Sequence, residues 1–115
     1  MRISVLPVLF LTVGAAAAHA HATLASASPS VGSTVSDPHE VILTFTERLE
    51  AAFSNLTVID ASGAAVSQGK TQVSDNIMRI GLKPLNAGTY KVNWRAISTD
   101  THKIEGSFTF RVGTP

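Results

Sequence analysis

Apolar and polar residues alternate with a period of two in several short stretches of this chain. Val41, Leu43 and Phe45 are interleaved with Ile42, Thr44 and Thr46. Tyr90, Val92, Trp94 and Ala96 are interleaved with Lys91, Asn93, Arg95 and Ile97. Phe108, Phe110 and Val112 alternate with Ser107, Thr109 and Arg111. Shorter runs carry Leu56, Val58 and Ile59, and then Ile77, Ile80 and Leu82. Successive strand residues point to opposite faces, so this pattern, rich in Val, Ile, Thr and aromatics, predicts half-buried strands. Turn residues separate the runs at Ser28-Pro29, Gly32-Ser33, Asp37-Pro38, Asp60-Ala61-Ser62-Gly63, Asp75-Asn76 and Asn86-Ala87-Gly88. Short strands at this spacing predict an all-β sandwich of about seven strands. Between Thr46 and Ser54 the pattern lapses, and the stretch is long enough for a helical turn but not for a stable helix.

Two aromatic residues refine the picture. Leu85-Asn86-Ala87-Gly88-Thr89-Tyr90 resembles the tyrosine corner of immunoglobulin-like sandwiches, where the hydroxyl returns to the backbone just upstream. The alternative is an ordinary tyrosine at a strand start. Trp94 is the only tryptophan, and it shares a strand face with Tyr90 and Val92, which assigns it to the core.

The first twenty residues follow a different logic. Arg2 is followed by an apolar run from Ile3 to Val13, broken only by Ser4, Pro7 and Thr12. Ala18 and Ala20 occupy the small positions of an A-x-A cleavage site, so residues 1–20 are expected to be a signal peptide. The run is short for a membrane span, which needs about 20 apolar residues. Residues 21–115 are then one small exported domain. Arg2 is the only charged residue of the leader, which leaves eight Lys plus Arg against eight Asp plus Glu in residues 21–115. A balanced charge argues against nucleic acid as a partner. There is no cysteine, so neither a disulfide nor a thiolate ligand is available. Met78 is the only methionine after the leader, so a soft sulfur site for Cu(I) is not available either.

The candidate chemistry lies at the two ends of the domain. Cleavage after Ala20 makes His21 the first residue, with a free amine and an imidazole that close a chelate ring on one cation. The amine must lose its proton, and its unperturbed pKa is about 7.7–8.0, so binding weakens at low pH. Asp100-Thr101-His102 falls in or beside the loop between the Trp94 and Phe108 strands. Residues two apart on extended backbone face one side, which would bring the carboxylate and imidazole together. Glu47, two residues beyond Phe45, is a further carboxylate that can orient a ligand from outside the coordination sphere, or a surface charge at a strand end. His39, in Asp37-Pro38-His39-Glu40, reads as an exposed turn residue. Nitrogen and oxygen ligands suit Cu(II), Ni(II) or Zn(II), and geometry rather than composition selects among them. Cleavage after Ala18 is the competing register. It would place His21 third, in a local square-planar Cu(II) site that leaves Asp100 and His102 without a role.

These residues resemble the periplasmic copper-resistance proteins of the CopC type over nearly the whole domain. The likeness begins with His21-Ala22-Thr23-Leu24 and Ser28-Pro29-Ser30-Val31-Gly32-Ser33, and continues through Val41-Ile42-Leu43-Thr44-Phe45-Thr46-Glu47. Its most specific part is Leu85 to Gly106, which follows the pattern G-T-Y-x-V-x-W-R-x-x-S-x-D-x-H-x-x-x-G. The resemblance implies an immunoglobulin-like Greek-key β-sandwich in the periplasm. It implies one Cu(II) ion held by an N-terminal His21, Asp100 and His102, with Glu47 near the site. It favours the His21 register, and it implies a CopD-type inner-membrane copper transport protein as partner. Some members carry a methionine-rich Cu(I) loop, whereas Asp60 to Gln72 here has no Met and no His. The expected function is Cu(II) sequestration, homeostasis or delivery by a monomer that is not an enzyme. Two alternatives remain at this stage. A terminal histidine chelate also occurs in copper monooxygenases that cleave polysaccharides, but this small domain has no spare aromatics for a sugar-binding surface. The other alternative is a metal-free immunoglobulin-like interaction module.

Overall fold

The computed structural model describes residues 24–114. Eight strands form in chain order: β1 Leu24–Ser28, β2 Thr34–Val35, β3 Glu40–Phe45, β4 Asn55–Ile59, β5 Ser67–Ser74, β6 Ile77–Leu82, β7 Gly88–Ile97 and β8 Lys103–Val112. They make two four-stranded sheets with orders β1-β3-β6-β5 and β2-β8-β7-β4. The chain changes sheet at every step from β1 to β5, and again between β6 and β7, which gives a Greek-key sandwich. Pairing is antiparallel except between β2 and β8. A single 3-10 turn, Ala51–Phe53, occupies the stretch where the alternation lapses. Among the described residues no helix is long and apolar enough to cross a membrane.

The alternation translates directly into burial. Val41, Leu43 and Phe45 of β3 are buried with Leu56 and Val58 of β4 and Met78, Ile80 and Leu82 of β6. Tyr90, Val92, Trp94 and Ala96 of β7 meet Ile104, Phe108, Phe110 and Val112 of β8 in the same core. Trp94 stands edge-on to Phe45 at 6.2 Å and tilted against Phe108 at 6.0 Å. Its indole lies across Gly106, its partner in register on β8. A Cβ at Gly106 would come within 2.4 Å of Trp94 Cζ2, so only glycine fits beneath the ring. The tyrosine corner is present: Tyr90 Oη donates to the Asn86 carbonyl at 2.6 Å.

Three strands lay outside the clear alternating runs. β1 and β2 are short, and β2 has only two residues. β5 is an edge strand of Ser, Gln, Lys and Thr whose register is broken between Gln68 and Gln72 around Gly69, at φ +83°. Such irregular, polar edges discourage pairing with other chains. Thr71 Oγ1 of β5 reaches across to β4, accepting from Leu56 N at 3.0 Å, and so ties the two sheets at one edge.

Candidate metal centre

β7 and β8 are a long antiparallel pair whose last register match is Ile97 with Lys103. The five residues between them, Ser98 to His102, form a tight turn at one end of the sandwich. Ser98 N donates to the His102 carbonyl at 2.9 Å, and Thr101 N donates to the Ser98 carbonyl at 2.8 Å. Thr101 adopts φ +73°, a left-handed conformation that costs a β-branched residue about 1–2 kcal/mol. The backbone at Thr101 is therefore not extended. Asp100 and His102 do converge, but through the reversal of the turn and not through strand alternation.

The segment after β3 is fastened to this turn. Glu50 N donates to the Ile97 carbonyl at 2.8 Å, and Thr99 N donates to the Arg48 carbonyl at 3.0 Å. Leu49 forms a bridge with Ser98. On its other side the segment is held by Asp75, whose carbonyl accepts from Leu49 N at 2.9 Å and whose Oδ1 accepts from Arg48 Nε at 2.9 Å. Because β3 ends at Phe45, Glu47 is released from the strand's alternation and turns toward the loop.

The side chains of Glu47, Asp100 and His102 meet here, with one donor atom from each lying within 4.8 Å of the others. His102 Nδ1 is 3.3 Å from Asp100 Oδ1 and 4.0 Å from Glu47 Oε1. Glu47 Oε1 is buried, although its side chain is partly exposed, and it has no hydrogen-bond partner among the described residues. A buried carboxylate oxygen without a donor calls for a cation. The Ser98 hydroxyl donates to Asp100 Oδ1 and holds its carboxyl below the usual carboxylate range, with the His102 charge adding to the effect. The cluster thus offers two anionic oxygens and an imidazole, a donor set with no sulfur. Met78 cannot contribute, since it is completely buried in the core.

Other candidates fall elsewhere. His21 lies outside the described residues. His39 is exposed and sits 3.4 Å from Asp37, apart from the cluster. The sequence reading gave Ser98 no role, yet a signal was present. Tyr90, Val92, Trp94 and Ala96 set the inward parity of β7, and Ser98 is the next inward position. A polar residue at a core-facing position needs a partner, and its partners are the two candidate ligands.

A family model described as the CopC domain matches residues 24–113. Copper resistance protein C of Pseudomonas syringae pv. tomato is 41% identical over 111 residues, covering 84% of each chain. PcoC, a methionine-rich copper resistance protein from Escherichia coli, has a crystal structure similar to this one, with a TM-score of 0.71 and 36% identity over 79% of this chain and 97% of that chain. CopC from Methylosinus trichosporium OB3b gives a TM-score of 0.69 and 31% identity over 80% of this chain and 93% of that chain. With its sandwich, its terminal turn and these identities in agreement, the chain belongs to the CopC domain family.

Proposed function

We propose that residues 21–115 form a periplasmic copper-binding protein that holds one Cu(II) ion between His21, Asp100 and His102, with Glu47 beside them. The observation that carries this reading is the convergence of Glu47, Asp100 and His102 at the end of the sandwich where β1 begins. Leu24, the first residue of β1, pairs with Phe45, two residues before Glu47. His21 is three residues upstream of Leu24, and three residues span at most about 10 Å. That is the length of chain with which a terminal histidine would have to join the cluster. The amine and imidazole of His21, the His102 ring and an Asp100 oxygen supply the nitrogen and oxygen donors that suit Cu(II).

Copper is the cargo of this protein. The relatives are named for copper resistance, which supports a binding and homeostasis role over an enzymatic one. PcoC is described as methionine rich, whereas this chain has two methionines, one in the leader and one in the core. That contrast supports a site for Cu(II) and not for Cu(I). Delivery to a CopD-type inner-membrane transport protein, by a monomer, rests on the family resemblance.

The test is intact-mass analysis of the exported protein with and without one equivalent of Cu(II), followed by titration of a variant with one Ala inserted before His21. A mass beginning at His21, one bound ion and a marked loss of affinity in the extended variant are expected. Equal affinity with and without the inserted residue refutes the terminal-histidine site.

A further inference from the structure

We propose that Ser98 is a positioning residue of the metal centre, whose buried hydroxyl sets Asp100 and His102 in a fixed relation before an ion arrives. The inference rests on reading Asp100 and His102 as ligands. Ser98 is completely buried, a rare state for a serine. A serine hydroxyl has one proton to donate and two lone pairs to accept with. Here the proton goes to Asp100 Oδ1. The oxygen in turn accepts from His102 N at 3.1 Å. One buried atom therefore touches the side chain of one candidate ligand and the backbone of the other. The Ser98 backbone adds the contacts to the His102 carbonyl and from Thr101 N that close the turn.

The anchor itself has little freedom. Ser98 continues directly from β7, and its bridge to Leu49 joins it to the segment that carries Glu47. Three elements that approach the cluster thus meet at this residue. Without the hydroxyl, the Asp100 carboxylate would lose its one side-chain hydrogen bond among the described residues and keep only the looser approach of His102 Nδ1 at 3.3 Å. Binding would then have to order it. Outer partners of metal ligands act in this way, and removing one typically lowers metal affinity about 10–100-fold.

Ser54 provides a matched control. It is also a buried serine at this end of the sandwich, donating to the Glu50 carbonyl at 2.7 Å and accepting from Ile97 N at 3.3 Å. It touches neither Asp100 nor His102 in these hydrogen bonds.

The experiment compares Cu(II) affinity and the Cu(II) electron paramagnetic resonance spectrum for Ser98→Ala, Ser98→Thr, Ser54→Ala, Asp100→Ala and the double variant Ser98→Ala/Asp100→Ala. Near-ultraviolet circular dichroism reports that each is folded. Ser98→Ala is expected to weaken Cu(II) about tenfold and alter the spectrum, Ser98→Thr to restore both, and Ser54→Ala to change neither. In the Asp100→Ala background, Ser98→Ala should have a smaller effect, because the contact to the carboxylate is already gone and only the one from His102 N is left to lose. An equal loss in both backgrounds, or the same change from Ser54→Ala, overturns the positioning role while leaving the ligand assignment intact. Unchanged affinity and spectrum in Asp100→Ala overturn the ligand assignment, and the proposal with it. If Ser98→Ala does not fold, Ser98→Cys, which keeps the size but is a weak donor, takes its place: weakened Cu(II) and an altered spectrum are expected, and native affinity and spectrum overturn the proposal.

Discussion

Two turns in this sandwich use the same pair of residue types to different ends. In the loop from Asp60 to Ala64, Asp60 Oδ1 accepts from Ser62 Oγ at 2.7 Å, Ser62 N at 2.9 Å and Ala64 N at 3.0 Å. In the turn from Ser98 to His102, Asp100 Oδ1 accepts from the Ser98 hydroxyl. In both cases the serine hydroxyl is the chief reason that the aspartate stays ionised to lower pH. Both turns also contain a residue in the left-handed region, Gly63 at φ +91° and Thr101 at φ +73°. Asp60, however, turns its oxygen back on its own loop and closes it. Asp100 is held by one buried hydroxyl and faces His102 and Glu47 instead. The hydrogen bond alone does not make a site; what surrounds the second half of the carboxylate does.

The sharpest way to break the comparison is to remove the aspartate from each turn. Asp100→Ala and His102→Ala are expected to weaken Cu(II) binding by more than the ~10–100-fold that follows loss of an outer partner. Asp60→Ala should leave binding unchanged. All three should remain folded, since loop residues contribute little to the core. Competition titration against a Cu(II) chelator checks the affinities. A comparable loss in Asp60→Ala would show that turn closure as such, and not the cluster, controls binding.

The shared scaffold is the next point of attack. Gly106→Ala places a Cβ within 2.4 Å of the Trp94 ring. Overpacking of this kind costs about 1–3 kcal/mol, or several degrees in Tm for a domain of this size. Calorimetry and Trp94 fluorescence follow it. Affinity of the folded protein for Cu(II) should be little changed, because Gly106 lies within the sheet and not in the turn. A loss of affinity as large as that of Asp100→Ala would mean that the sheet, too, sets the geometry of the site.

The two turns also mark how far the sequence could be read. The core strands were legible because Val41, Leu43, Phe45, Tyr90, Val92 and Trp94 are repelled by water at every second position, and that signal needs no tertiary context. β5 was not legible, since Ser67 to Ser74 lies at an edge and carries a bulge, so neither hydrophobicity nor periodicity marks it. Asp100 and His102 were recognisable as residue types, and their shared neighbourhood was expected for the wrong geometric reason. A left-handed Thr101 has no local signature, because threonine disfavours that conformation and only the hydrogen bonds of the turn impose it. Glu47 depended on where β3 stops, and strand ends are among the least legible boundaries. The candidate ligand His21 lies outside the described residues.

Exchanging the left-handed residues gives a smaller effect with opposite signs in the two turns. Gly63→Ala meets nothing within 4 Å, so its penalty is the backbone alone, about 1–2 kcal/mol. Thr101→Gly relieves a similar penalty but adds roughly 0.5–1 kcal/mol of chain entropy in the unfolded state. A net gain below about 1 kcal/mol is expected. Denaturant titrations of the metal-free protein measure both. If both variants are destabilised alike, Thr101 is not strained in the way its conformation implies.

The smallest effect concerns acid. Asp60 and Asp100 both have folded-state values below that of a free aspartate. A depressed carboxyl binds fewer protons in the folded protein than in the unfolded one. Each therefore stabilises the fold fully above the unfolded value, about 3.9, and loses that contribution as pH falls through the lower folded value. In the metal-free protein, Asp60→Asn and Asp100→Asn should each flatten the fall in stability below about pH 4. The two turns should then look alike, because without copper each aspartate answers chiefly to its serine. With Cu(II) bound they should part. Of the two aspartates, the ion would further disfavour protonation only of Asp100, together with the amine and imidazoles that share it, while Asp60 titrates as before. Paired stability curves with and without Cu(II), from neutral pH down to about pH 3, read this directly. A copper-dependent shift that is full-sized in the Asp60→Asn protein and reduced in Asp100→Asn supports the division of roles. A shift of undiminished size in Asp100→Asn would leave the acid response to the amine and the imidazoles and remove Asp100 from it.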